Sequence, residues 1–184
     1  MKKKPKIILT SKEMNIAIDR LCYQLIEHYN DFSNTCILGI QYKGALLAER
    51  IFNRLHDLSK NIHLEFGKLD ITFSRDDFKS SFKNHQSYPT EINFLIESKN
   101  VILVDDVLYT GRTIQAALQE IQSFGRPSKT ELLVLVDRRF NRQVPIQADY
   151  CGIRVDALDN SYVKVDWIEE QGSDRVLFYE EERI

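Results

Sequence analysis

The sequence predicts an α/β fold: a central, mostly parallel sheet with helices on both faces, plus a small strand-rich hood. Three observations predict it. Short continuous apolar runs, as buried strands require, alternate with apolar stripes at helical spacing, the order of a parallel sheet with crossover helices. The last third, from about residue 138, is rich in strand-type runs and poor in helical ones. Seven Gly and four Pro in 184 residues leave few places for linkers, so a single domain over 1–184 is expected, its hood mainly 138–184.

Composition supports a real core, since 43% of residues are apolar or aromatic and 28% are charged. A net charge of −2 argues against a generic polyanion binder, DNA included. No apolar run approaches the roughly 20 residues of a membrane helix, so no membrane association is expected. The start, Met-Lys-Lys-Lys-Pro-Lys, has a charged end but no hydrophobic region after Leu9, and reads as a solvated tail. Cys22, Cys36 and Cys151 are odd in number and widely spaced, which fits buried free thiols in a reducing cytoplasm.

The elements follow in order. Thr10-Ser-Lys-Glu13 has capping-box spacing, and Met14, Ala17, Ile18, Leu21, Cys22, Leu25 and Ile26 form one helical stripe. Residues 36–40 are a buried-type strand; Leu47, Ala48, Ile51 and Leu55 make a second helix stripe. Ile62, Leu64 and Phe66 alternate as in a half-covered strand. Residues 73–93 are polar and break the pattern, as a long functional loop does. Residues 101–104 are another buried strand, and Ile114, Ala117, Leu118 and Ile121 a third helix stopped by Gly125 and Pro127. Residues 132–136, 151–155, 163–168 and 176–179 complete the strands. Trp167 reads as strand packing, and His28, His56, His63 and His85 have no metal-ligand spacing.

The chemistry concentrates in residues 101–113, where four apolar residues end in Asp105 and Asp106, followed by Tyr109-Thr-Gly-Arg-Thr113 and a helix. Ligands of open parallel sheets bind beyond the carboxyl ends of strands. A helix N-terminus offers unpaired N–H groups to an anion such as phosphate. Gly111 allows close backbone approach, Thr110 and Thr113 add hydroxyls, and Arg112 adds a cation. Carboxylates suit sugar hydroxyls or magnesium, so a phosphorylated sugar fits both halves; an aspartate pair also serves as a plain turn and cap. The Gly-x4-Gly-Lys pattern of a Walker loop is absent from this segment.

Val104-Asp-Asp-Val-Leu-Tyr-Thr-Gly-Arg-Thr113 resembles the phosphoribosyl-pyrophosphate (PRPP) motif of type I phosphoribosyltransferases. It most closely resembles the bifunctional pyrimidine-operon regulator/uracil phosphoribosyltransferase family. Leu69-Asp-Ile-Thr72, Arg75-Asp-Asp77, Gly39-Ile-Gln-Tyr-Lys-Gly44, Gly125-Arg-Pro-Ser128, Val134-Leu-Val-Asp-Arg138 and Pro145-Ile146 with Ala148-Asp-Tyr150 match in order, so the likeness spans about 8–180. The resemblance implies that Asp105 and Asp106 hold ribose hydroxyls, and that Tyr109, Thr110, Gly111, Arg112 and Thr113 hold the 5′-phosphate. It implies that Tyr42, Lys43 and Gly44 meet the pyrophosphate across a non-proline cis peptide, and that Arg75 closes over it from a mobile loop. Val107, Leu108, Asp137, Arg138 and Ile153 join the substrate-binding set. Mg2+ would bridge substrate oxygens, with Asp105 and Asp106 as its protein-side candidates.

Cleavage of the bond from C1 to pyrophosphate builds positive charge on the sugar and negative charge on the leaving group, which magnesium, Lys43 and Arg75 can stabilise. Tyr109 stands where purine enzymes of the superfamily carry an acid, which favours a pyrimidine. The implied activity makes UMP and pyrophosphate from uracil and PRPP in a cytoplasmic homo-oligomer, a dimer or larger. Two alternatives stay open: a pyrimidine-operon leader-RNA regulator, and a salvage enzyme for another base. Arg139-Phe-Asn-Arg142, with an extra residue, replaces Gly-His-Arg, and Gln147 replaces an Arg; on the first helix Asp19 and Tyr23 replace a Thr and a His that face RNA in the family, and lost cations with the added Asp19 weaken phosphate attraction. Residues 151–157 also differ from the family near the base pocket.

Overall fold

The computed structural model describes residues 4–72, 88–157 and 161–180. Arg75, His85 and most of the expected 73–93 loop lie outside the described residues.

The first helix, α1 (Ser11–Tyr29), starts where its cap predicts. Thr10 Oγ1 accepts from the Glu13 amide at 3.4 Å, and Glu13 Oε2 accepts from the Thr10 amide at 2.8 Å. These two bonds satisfy donors that a helix start leaves open. The large sheet follows from β2 (Thr35–Ile40), α2 (Lys43–Leu58), β3 (Leu64–Leu69), β4 (Asn100–Leu108), α3 (Arg112–Ile121), β5 (Lys129–Arg139) and β6 (Tyr150–Asp156). Its five strands are all parallel, in the order β3-β2-β4-β5-β6.

Side-chain alternation splits the apolar runs between two cores. Ile37, Ile102, Val104, Leu133 and Leu135 pack beneath α1 and α2, whereas Cys36, Leu38, Val101, Leu103 and Val134 pack beneath α3. Both faces are covered, which is why these strands read as unbroken apolar runs. From β2 the chain moves outward to β3; from β4 it moves the opposite way to β5 and β6. The order therefore reverses between β2 and β4, and a crevice opens there at the strands' carboxyl ends.

A separate antiparallel sheet forms the hood, in the order β1-β8-β7, from β1 (Lys6–Leu9), β7 (Ser161–Asp166) and β8 (Arg175–Glu180), with the short α4 (Ile168–Gln171) between the last two. Two segments depart from the sequence reading. Lys6–Leu9, which carries no predicted element and overlaps the expected tail 1–6 only at Lys6, pairs with β8, Lys6 opposite Phe178 and Ile7 opposite Leu177. A four-residue strand shows too little alternation to recognise, and its partner lies at the far end of the chain. Tyr150–Asp156, grouped with the hood by sequence, is the edge strand of the large sheet, with Ile153 opposite Val136. No helix joins β5 to β6, so the alternation that marks parallel strands is missing there. Trp167 is fully buried but lies just past the end of β7, at the start of α4, and not within the expected 163–168 strand. Cys22 and Cys36 are buried free thiols, pushed up to about 12 chiefly by desolvation; Cys151 is half-buried. Among the described residues no helix is long and apolar enough to cross a membrane.

Candidate active site

The crevice between β2 and β4 is framed by the two turns that leave those strands. β2 ends at Ile40 and α2 begins at Lys43, so the first turn is very short. Glycine makes it possible. A Cβ on Gly39 would stand 2.5 Å from Ala45 Cα, and one on Gly44 would stand 2.5 Å from the Val104 carbonyl oxygen and 3.2 Å from Asp105 Oδ1. The Gln41–Tyr42 peptide is cis, the isomer that the family resemblance implies. Tyr42 precedes α2 without capping it through its side chain, so the helix presents open amides here.

Three contacts hold this turn. The Tyr42 ring stacks on Tyr88, with centroids 5.2 Å apart and planes 18° from parallel. Gln41 Nε2 donates to the Pro89 carbonyl at 3.3 Å, and Lys43 Nζ donates to the Val165 carbonyl of β7 at 2.7 Å. Burial pushes the Tyr42 hydroxyl above its ordinary pKa, with Glu170, Tyr88 and Glu169 acting the same way.

The carboxylates lie within β4, which runs on past the expected strand end at Asp105 and Asp106 to Leu108. Asp105 is buried, and its Oδ1 accepts from the Asp106 amide at 2.9 Å. Asp106 is half-buried. Desolvation holds its carboxyl above the usual aspartate range, although the Lys43 ammonium and the Val107 amide pull the other way.

Gly111 caps α3 in a left-handed conformation, φ +88°, which suits glycine. Arg112 and Thr113 are thus the first residues of the helix, Arg112 exposed and Thr113 half-buried. Thr110 Oγ1 accepts from the Arg112 amide at 3.4 Å. The segment after β5 braces this turn: the Gln143 and Val144 amides donate to the Thr110 carbonyl at 2.9 and 3.1 Å. Arg112 Nε donates to Gln143 Oε1 at 2.5 Å, and Arg142 bonds both the Tyr109 carbonyl and the Asp137 carboxylate.

Arg138 is 4% exposed, with its guanidinium carbon 3.7 Å above the Tyr109 ring. It donates to the Ser161 carbonyl at 2.6 Å, while its buried Nε has no hydrogen-bond partner. Burial draws this guanidinium below its ordinary pKa, against the opposing effect of Tyr109.

The fold therefore gathers Tyr42, Lys43, Gly44, Asp105, Asp106 and residues 109–113 at one end of the large sheet. Asp137 and Arg138 adjoin them from the end of β5. Val107 and Leu108 contribute backbone, since Val107 packs against the α1/α2 core and Leu108 lies within the α3 core. Ile153 lies on β6 opposite Val136 and packs against the α1/α2 core. Gln143 and Val144 are site-supporting residues that sequence reading passes over, and Arg142, noted there only as a departure from the family, joins them in bracing the turn. Nothing local marks them, because their partners lie a full strand away. Beside them a cavity of about 740 Å³ is lined by Asp137, Arg139, Phe140, Arg142, Ile146 and Arg154 among others.

A parallel sheet whose order reverses beside paired carboxylates and a glycine-containing hydroxyl turn defines a class of protein that binds phosphorylated sugars. Residues 6–167 match the phosphoribosyl transferase domain, and the chain belongs to that family. Its chemistry is accordingly that of a glycosyltransferase of the phosphoribosyltransferase type. The Bifunctional protein PyrR of Streptococcus equi subsp. zooepidemicus (strain MGCS10565) is 40% identical over 179 residues, covering 97% of this chain and 99% of that protein. The Pyrimidine operon regulatory protein of Lactococcus lactis subsp. cremoris (strain MG1363) is 41% identical over 177 residues, covering 96% and 98%. A hypoxanthine phosphoribosyltransferase from Staphylococcus aureus shares the fold, with a TM-score of 0.69 at 21% identity over 93% of this chain and 90% of that one.

Proposed function

We propose that the protein transfers the phosphoribosyl group of PRPP to uracil, giving UMP and pyrophosphate. The observation that carries this reading is the packing of Gly44 against Asp105, which joins the turn after β2 to the carboxylates of β4. In this reading Asp105 and Asp106 accept hydrogen bonds from the ribose hydroxyls. The amides and hydroxyls of 109–113 hold the 5′-phosphate, and the amides of 42–44 with Lys43 hold the pyrophosphate. Arg75 approaches the pyrophosphate from a segment outside the described residues. Uracil N1 bonds to C1 as the bond from C1 to the pyrophosphate oxygen breaks; the N1 proton leaves to solvent. Lys43 offsets charge growing on the departing oxygens.

Magnesium fits as a substrate-borne ion. Asp105 and Asp106 supply hard oxygen donors, but among the described residues no group of three His, Cys, Asp or Glu could hold a metal. Most ligands would then be substrate oxygens and water. When bound, the ion neutralises phosphate charge.

A base screen tests the activity. Purified protein with PRPP and magnesium should consume PRPP with uracil and not with cytosine, hypoxanthine or guanine. Turnover with a purine instead would assign the salvage alternative, and no turnover with any base would remove the enzyme reading.

The names of the relatives, bifunctional and pyrimidine-operon regulatory, favour a second reading in which the protein also binds leader RNA. Asp19 opposes it less than its charge suggests, because Arg54 pairs with it at 2.6 Å. A salt titration of binding to leader and scrambled RNA separates specific recognition from general phosphate attraction. Self-association and a cytoplasmic location complete the reading. Ile16 and Tyr23, exposed on α1, support the first, which sedimentation tests; buried reduced thiols support the second.

A further inference from the structure

Arg50 lies two helical turns beyond Lys43 on α2, so both side chains leave the same face of the helix. Its guanidinium makes a set of contacts with the hood. It donates to both oxygens of Glu169 at 2.8 Å and to the two oxygens of Asp174 at 2.8 and 2.9 Å. Its central carbon also stands 4.7 Å from the centroid of the buried Trp167 ring. Asp174 in turn accepts the Ile168 amide at 2.8 Å, closing the turn between β7 and β8. The strand entering that turn, β7, carries the Val165 carbonyl that holds Lys43 Nζ at 2.7 Å.

We infer that Arg50 is a positioning residue for the pyrophosphate turn: by fixing the β7–α4–β8 turn on α2, it sets the Val165 carbonyl that aims Lys43. This rests on the proposed role of 42–44 in binding pyrophosphate. A carbonyl partner leaves the Lys43 ammonium two further donors and its full charge. Arg50 also pairs with Glu169, which closes the same hood turn on α2. The planar guanidinium alone can bridge two carboxylates and stack on an indole, so lysine at this position is only a partial substitute.

Steady-state kinetics with PRPP and uracil, alongside thermal unfolding, test the inference. Arg50→Met should raise the KM for PRPP about tenfold while the KM for uracil stays within about twofold. Arg50→Lys should recover part of that loss. Asp174→Asn should shift the PRPP parameter the same way by less, and it serves if Arg50→Met does not fold. Arg50→Met added to Lys43→Ala should have almost no further effect on the PRPP parameter, because both act through one contact. The inference is overturned if Arg50→Met lowers the unfolding temperature with an unchanged KM for PRPP, raises both KM values alike, or adds in full to Lys43→Ala. If Lys43→Ala itself leaves the KM for PRPP unchanged, the pyrophosphate reading fails first and takes the inference with it.

Discussion

Gly44 sits directly against Asp105, so the turn after β2 is packed on the carboxylate-bearing part of β4: a methyl on Gly44 would meet Asp105 Cα at 3.0 Å and the Val104 carbonyl at 2.5 Å. Gly44→Ala should therefore displace either the turn or the carboxylate. A displacement near 1 Å in such a site costs on the order of a hundredfold in kcat/KM. The fold should survive, since the clash lies at a strand end. Wild-type kinetics in Gly44→Ala would show that the crevice tolerates the shift and that this packing is not critical.

Replacing Asp105 and Asp106 together by Asn should abolish turnover and leave the unfolding temperature close to that of the parent. Asp105 accepts its neighbour's amide, which Asn Oδ1 can still do. The charge serves the ligand in this reading. Assays of PRPP consumption alongside calorimetry decide it, and retained activity would remove the sugar site.

Thr113 stands in the first turn of α3, beside the open amides. Thr113→Val should weaken PRPP binding by about 1–3 kcal/mol through loss of one hydrogen bond to a charged phosphate. Titration calorimetry with PRPP reads the change directly. An unchanged affinity would place the phosphate elsewhere.

Glu131 offers a test of stability, remote from the site. Its side chain is 6% exposed, with Lys129 Nζ at 2.6 Å and the Tyr29 hydroxyl bonded to it. Burial, helped by Asp149, nevertheless raises its pKa, against His28 and Tyr150. The folded protein then keeps this proton at a pH where the unfolded chain has released it. Stability should fall as pH rises from the unfolded value, about 4.3, through the higher folded value, and level off above it. Glu131→Gln should remove this part of the slope in unfolding temperature between pH 4 and 7. An identical slope in the variant would mean that other groups cause it.

The sheet and the 105–113 segment are legible in the sequence because their signals are local. A strand buried on both faces must be apolar throughout, and a helix start that approaches an anion needs glycine and hydroxyls in series. The supports of the site leave no such trace. Arg142 reaches Tyr109, Lys43 reaches Val165, and Arg50 reaches Asp174 across long stretches of sequence, and each arginine or lysine alone looks like any solvated charge. The sheet to which β6 belongs is likewise not legible, because pairing partners are a property of the assembled sheets, whereas periodicity reports only that a strand exists; β1 is too short to show even that.

The central strand of the hood is β8, the last strand among the described residues, and it joins β1 to β7. During synthesis the five-stranded sheet can assemble while the opening strand waits without a partner. Strand β1 thus becomes fixed only after β8 emerges from the ribosome. A ribosome stalled before Arg175 would display a finished sheet beneath a hood still open, and limited proteolysis of such nascent chains would cut near Lys6–Leu9.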